Sequence, residues 1–155
     1  MNIVLIVGCA ACVWDDLKRV PLYHDIVTTN QMTRDYPRVP NVSVTLHPDK
    51  AVRYARQGVH MVSWEHTVGT DEVWMDEAFR YGSSGLYAVG YALKEMQATL
   101  VILAGVPMDD TPHYYDGGSL EPYLFAYREA WQDVLPQLRG RVISMSGWTR
   151  QLLES

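Results

Sequence analysis

Between residues 82 and 110 the chain passes through four textures whose order leaves few folds open. Gly82-Ser83-Ser84-Gly85 is a run of small residues, and Leu86 to Met96 continues with helical spacing and no proline. Leu100-Val101-Ile102-Leu103-Ala104-Gly105-Val106 is wholly apolar, and Pro107-Met108-Asp109-Asp110 turns polar. Loop, helix, fully buried strand and polar loop form the repeating unit of an α/β sheet. In such sheets ligands bind outside the carboxyl ends of the strands, where loops and helix N-termini converge. The helix start offers unpaired N–H groups beside two hydroxyls, a combination suited to an anion such as phosphate.

The rest of the chain repeats the pattern. Asn2 to Gly8 is a β-branched run of the kind found in central parallel strands, followed by the small-residue turn Cys9 to Cys12. Val13, Trp14, Leu17 and Val20 have helical spacing, with acids early and bases late as the helix dipole favours, and Pro21 stops the helix. Further strands are expected over residues 25–30, 41–46, 60–65 and 141–146. Helices are expected over 51–57, 84–97, 120–138 and 148–153. Trp74, Ala78 and Tyr81 suggest one face of a short helix in the least regular stretch, 67–81. The expected architecture is one three-layer α/β domain over residues 1–155, with a mostly parallel sheet.

Composition excludes several classes. Apolar residues make up 48% and charged residues 20%, which is globular rather than disordered. The longest apolar runs are far too short to span a bilayer, and Met1 leads almost directly into a strand without a signal-like flank, so a cytoplasmic protein is expected. The net charge of −5 and the scattered basic residues give no nucleic-acid stripe. Two cysteines, Cys9 and Cys12, are too few for a zinc site. A Cys-x-x-Cys pair at a strand exit admits redox chemistry, against the plainer reading of small thiols packed where the chain turns.

Polar residues gather at four expected strand ends: Gly8 to Cys12, Thr28-Thr29-Asn30, His47-Pro48-Asp49, and Asp109-Asp110 through Tyr115. Parallel strands would bring all four to one edge, beside Ser83-Ser84-Gly85. Dinucleotide, Walker and nucleophile-elbow motifs are absent. The ligand-binding candidates are Gly8, Cys9, Ala10, Asn30, His47, Ser83, Ser84, Gly85 and Asp110. Asp109, His113, Tyr114 and Tyr115 are the catalytic candidates, with His113 able to act as a general base. Two adjacent acids, Asp109 and Asp110, suit a Mg²⁺ ion shared with phosphates. The alternatives are a helix cap at Ser83 and Ser84, and solvated turns at the acids.

The strand with a glycine loop (Val7 to Ala11), Asn30, Ser83-Ser84-Gly85 with its helix, Leu100 to Gly105 leading to Asp109, and Val142-Ile143-Ser144-Met145-Ser146 together resemble the sialyltransferase-like Rossmann proteins. That group also holds 6-hydroxymethylpterin diphosphokinase-like proteins and bacterial and phage-borne relatives. The resemblance implies a nucleotide held by the first loop, Asn30 and Ser83-Ser84-Gly85. It implies glycosyl or diphosphoryl transfer from a nucleotide or nucleotide sugar, with His113 as base and Tyr114 or Tyr115 near the departing phosphate. Val106-Pro107-Met108-Asp109 departs from the group's Gly-x-Asp strand ending, and its acceptor-binding lid has no counterpart in so short a chain. The alternative function is nucleotide binding or sequestration without catalysis, as in a phage-encoded protein. A homo-oligomer is compatible with the aromatic-rich composition.

Overall fold

A computed structural model describes residues 1–155. Seven strands form one sheet in the order β5-β4-β3-β2-β1-β6-β7, and every pairing is parallel. They are β1 (Ile3–Val7), β2 (Asp25–Thr29), β3 (Val42–Thr45), β4 (His60–Ser63), β5 (Glu72–Val73), β6 (Leu100–Ala104) and β7 (Val142–Ser144). The helices are α1 (Val13–Leu17), α2 (Met32–Asp35), α3 (Ala51–Tyr54), α4 (Glu77–Arg80), α5 (Ser83–Lys94), α6 (Leu124–Asp133), α7 (Leu135–Leu138) and α8 (Gly147–Glu154). Helices on both faces make the expected three-layer α/β, Rossmann-like fold.

Alternation along the strands divides the core. Val4 and Ile6 of β1, with Val101 and Leu103 of β6, pack with Leu86, Tyr87 and Val89 of α5 and Trp131 of α6. Ile3, Leu5 and Val7, with Ile102 and Ala104, pack on the opposite face against Val13 and Met32. β1 and β6 are apolar at every position because both faces of the sheet are covered. The chain runs outward from β1 to β5, then returns through α5 to place β6 on the other side of β1. The carboxyl ends of β1 and β6 therefore straddle the point where strand order reverses.

Three local expectations are corrected. The helix expected over 120–138 starts at Leu124 and breaks at Val134, because Pro136 has no N–H for a continuing ladder but suits the first turn of the next helix. In the 67–81 stretch the buried helical residue is Phe79, whereas Ala78 and Tyr81 are exposed and Trp74 is buried ahead of the helix. The edge strand β5 and the one-turn helix α2 were not expected; at two and four residues, neither has room for a period. No helix is long and apolar enough to cross a membrane.

Candidate functional site

At the strand-order reversal, Gly8 continues the β1 ladder by donating its N–H to Ala104 at 2.8 Å. A Cβ on Gly8 would lie 2.4 Å from the Gly105 carbonyl oxygen, so glycine is what lets the β1 and β6 exits touch. Gly105 itself has φ +71, and its N–H is taken by buried Asp16 at 2.8 Å. Asp16 Oδ2 also accepts the Ser146 hydroxyl at 2.7 Å, while Oδ1 pairs with Arg19 at 2.8 Å. One carboxylate thus joins α1, the β6 exit and the start of α8.

Beside this crossing lies a half-open cleft of about 70 Å³. Its walls include Gly8, Cys9 and Ala10 from the β1 exit, Asn30 just past the end of β2, Ser83, Ser84 and Gly85 from the start of α5, and Asp109 and His113 beyond β6. Four non-glycine residues in the molecule have positive φ, and three of them line this cleft: Asn30 (49°), Ser83 (74°) and Met108 (50°). Such backbone costs on the order of 1–3 kcal/mol per residue and persists only where the surroundings impose it. Here the surroundings are visible. Arg128 Nε donates to the Met108 carbonyl at 2.8 Å, and buried Trp131 Nε1 donates to Gly82, immediately before Ser83, at 2.9 Å. Gly85 packs against Val106, where a Cβ would come within 2.6 Å of a methyl.

The polar lining is cross-connected. Thr45 Oγ1 donates to Asn30 Oδ1 at 2.8 Å, fixing the amide orientation, and Ser84 Oγ accepts the Leu46 N–H at 3.2 Å. Asn30 Nδ2 lies 3.4 Å from Ser84 Oγ, a long contact that leaves the amide able to donate elsewhere. Ser83 Oγ finds only the weak acceptor Met108 Sδ, at 3.6 Å. Asp109 Oδ1 accepts the Thr111 N–H at 2.9 Å and shapes the turn into the following loop.

That loop folds back over the β1 exit. Ala11 N donates to Pro112 O at 2.8 Å and Tyr114 N to Cys9 O at 3.0 Å, bracketing an antiparallel bridge between Ala10 and His113. The bridge brings His113 into the cleft wall and turns its neighbours elsewhere. Tyr114 donates its hydroxyl to Asp35 at 2.7 Å and packs edge-on against Trp14. Burial, then the Asp35 bond, pushes the Tyr114 phenol well above its ordinary pKa. Tyr115 is exposed and stacks parallel to His113.

Nine sequence candidates therefore share one cleft: Gly8, Cys9, Ala10, Asn30, Ser83, Ser84, Gly85, Asp109 and His113. Four do not line it. Tyr114 is turned to Asp35, Tyr115 stacks on the His113 ring without lining the cleft, Asp110 is an exposed neighbour of Asp109, and His47 lies beyond Thr45 at the β3 exit. Burial, then the nearby Lys50, lowers the His47 pKa. The cysteines are free, and burial pushes both thiols up to about 11, Cys12 with Asp16 and Asp109 adding to the rise. Protonated thiols are poor nucleophiles, so packing is the reading their surroundings favour over redox chemistry. No group of three or more His, Cys, Asp or Glu side chains is placed to hold a metal.

Sequence reasoning placed Thr29 and Thr111 in its strand-end clusters without naming them as site residues, and missed the supports Asp16, Arg128 and Trp131. Thr29 ends a strand and carried a visible signal; the supports act from elements whose packing only three dimensions reveal. No family model, curated protein or solved structure matches this chain.

Proposed function

We propose that the protein is a nucleotide- or nucleotide-sugar-dependent transferase whose cleft holds the donor's phosphate. The observation that carries this reading is the convergence of three strained non-glycine residues and His113 on one cleft at the reversal of strand order. The cleft volume is far below the roughly 300–1,000 Å³ of a pocket that encloses a drug-sized ligand. It suits one phosphate-sized group, with base and sugar lying outside along the sheet edge. No lysine or arginine lines it. Neutral donors at Ser83, Asn30 and the α5 start match a singly charged phosphodiester better than a triphosphate. That balance favours glycosyl over diphosphoryl transfer.

In the glycosyl reaction His113 removes the proton from an acceptor hydroxyl as the acceptor oxygen bonds to the sugar's anomeric carbon. The bond from that carbon to the phosphate oxygen breaks, and its electron pair leaves with the nucleotide. Donors at the α5 start stabilise the departing phosphate. His113→Ala is expected to abolish turnover, read by mass spectrometry of products, while nucleotide affinity by calorimetry is retained. Equal turnover in variant and wild type would refute the role. The second reading, a nucleotide-binding protein without catalysis, draws on the commitment of the Tyr114 hydroxyl to Asp35 and on a cleft lining that contains no tyrosine. Calorimetric binding without product from any donor would decide for it.

A further inference from the structure

We infer that Asp116 is the positioning residue for His113, a carboxylate set against Nδ1 that fixes which ring nitrogen carries the proton. The inference deepens the reading of His113 as the base of the cleft and rests on it for its catalytic meaning. Its structural content stands on separate observations.

His113 Nδ1 is the one buried side-chain polar atom in the molecule without a hydrogen-bond partner. Its nearest charged atom is Asp116 Oδ1, at 3.4 Å. Aligned N–H···O bonds fall at about 2.7–3.2 Å, so a small turn of the ring or carboxylate together with an approach of a few tenths of an ångström completes this one. Both groups are already held. The His113 backbone donates to Gly118 O at 2.7 Å and accepts from Gly117 N at 3.0 Å, and its ring lies within 7° of parallel to that of Tyr115. Asp116 Oδ1 accepts the Gly118 N–H at 2.8 Å, which anchors the carboxylate inside the same turn. A carboxylate can only accept at this position, so the completed bond puts the hydrogen on Nδ1. Nε2 then keeps its lone pair, the form a general base requires.

The tautomer is directly readable. In ¹⁵N-labelled protein at pH 8, long-range ¹H–¹⁵N correlations distinguish the two neutral forms, and the His113 signals are assigned by their loss in His113→Gln. The expected result is an Nδ1–H ring for His113. His24 supplies the opposite standard, because its Nδ1 accepts the Ile3 N–H at 3.0 Å. Asp116→Ala removes the acceptor that faces Nδ1 and should shift His113 toward the Nε2–H form; Asp116→Asn keeps an oxygen at the position that the Gly118 N–H and Nδ1 share and should retain Nδ1–H at least in part. In a transferase assay Asp116→Ala should lower kcat about tenfold or more with KM unchanged, and Asp116→Asn should lose less. An Nε2–H ring in wild type, or an Asp116→Ala ring identical to wild type, overturns the inference without needing any activity. Absence of nucleotide binding alongside an Nδ1–H ring would sink the proposed function and leave the dyad standing.

Discussion

Ser83 carries two burdens in one residue: a left-handed backbone and a hydroxyl that accepts the Gly85 N–H at 3.3 Å but has only a thioether to donate to. The left-handed conformation costs an L-residue roughly 1–2 kcal/mol, which glycine would recover, while glycine's greater freedom in the unfolded chain takes back about 0.5–1 kcal/mol. Ser83→Gly should therefore leave the free energy of unfolding within about 1 kcal/mol of wild type in urea titrations. The same variant should weaken nucleotide binding in calorimetry, because it removes the donor. A stability loss well beyond that margin with unchanged affinity would make Ser83 a packing residue. At this scale much was legible. Asn30 and the Ser83-Ser84-Gly85 run stand out because strand ends and helix starts are where polar side chains are otherwise unexplained. Tyr114 was not, since its destination, Asp35, depends on the Ala10–His113 bridge, which no local pattern announces.

Among the elements, the tie made by Asp16 carries the clearest energetic consequence. Asp16→Ala would strand the Gly105 N–H and the Ser146 hydroxyl and unpair Arg19. Removing one partner from a buried charged network costs about 3–5 kcal/mol, here moderated because Arg19 is half exposed. A loss of more than about 2 kcal/mol in urea unfolding is expected, with Asp16→Asn milder because an oxygen survives. An alanine variant as stable as wild type would show that the carboxylate ties nothing. Elements were legible in proportion to their length and apolarity. β1, β6 and α5 announce themselves through continuous burial, whereas α2 and β5 are held by neighbours rather than by their own residues. The break near Val134 was written in the sequence as Pro136, where the apolar spacing of the flanking residues outweighed it.

Taken whole, the molecule buries more of its apolar residues on the α5 face than on the α1 face, 24 against 10 in the two clusters. Cys9 lies in the smaller cluster and the Cys12 turn borders it. Both thiols are raised from 9.0 to about 11. Raised values mean that the folded protein holds these protons after the unfolded chain has released them. Stability is therefore complete below pH 9 and declines as pH climbs through about 11. Phenols buried at Tyr87 and Tyr91 act in the same direction at higher pH. Urea midpoints at pH 8, 9.5 and 11 should fall in that order, and a Cys9→Ala, Cys12→Ala double variant should flatten the first part of the decline; a flat profile in wild type would contradict the burial of both thiols.

Ile3 pairs with Leu100, and Ala10 bridges to His113, so the centre of the sheet and the wall of the cleft join the two halves of the chain. During synthesis, the strands from β1 to β5 leave the ribosome with the inner edge of β1 still bare, waiting for β6. The wall of the cleft is then incomplete in a nascent chain until the turn at Gly118 has emerged. A small molecule at this cleft would reward finished translation and could not rescue a stalled fragment.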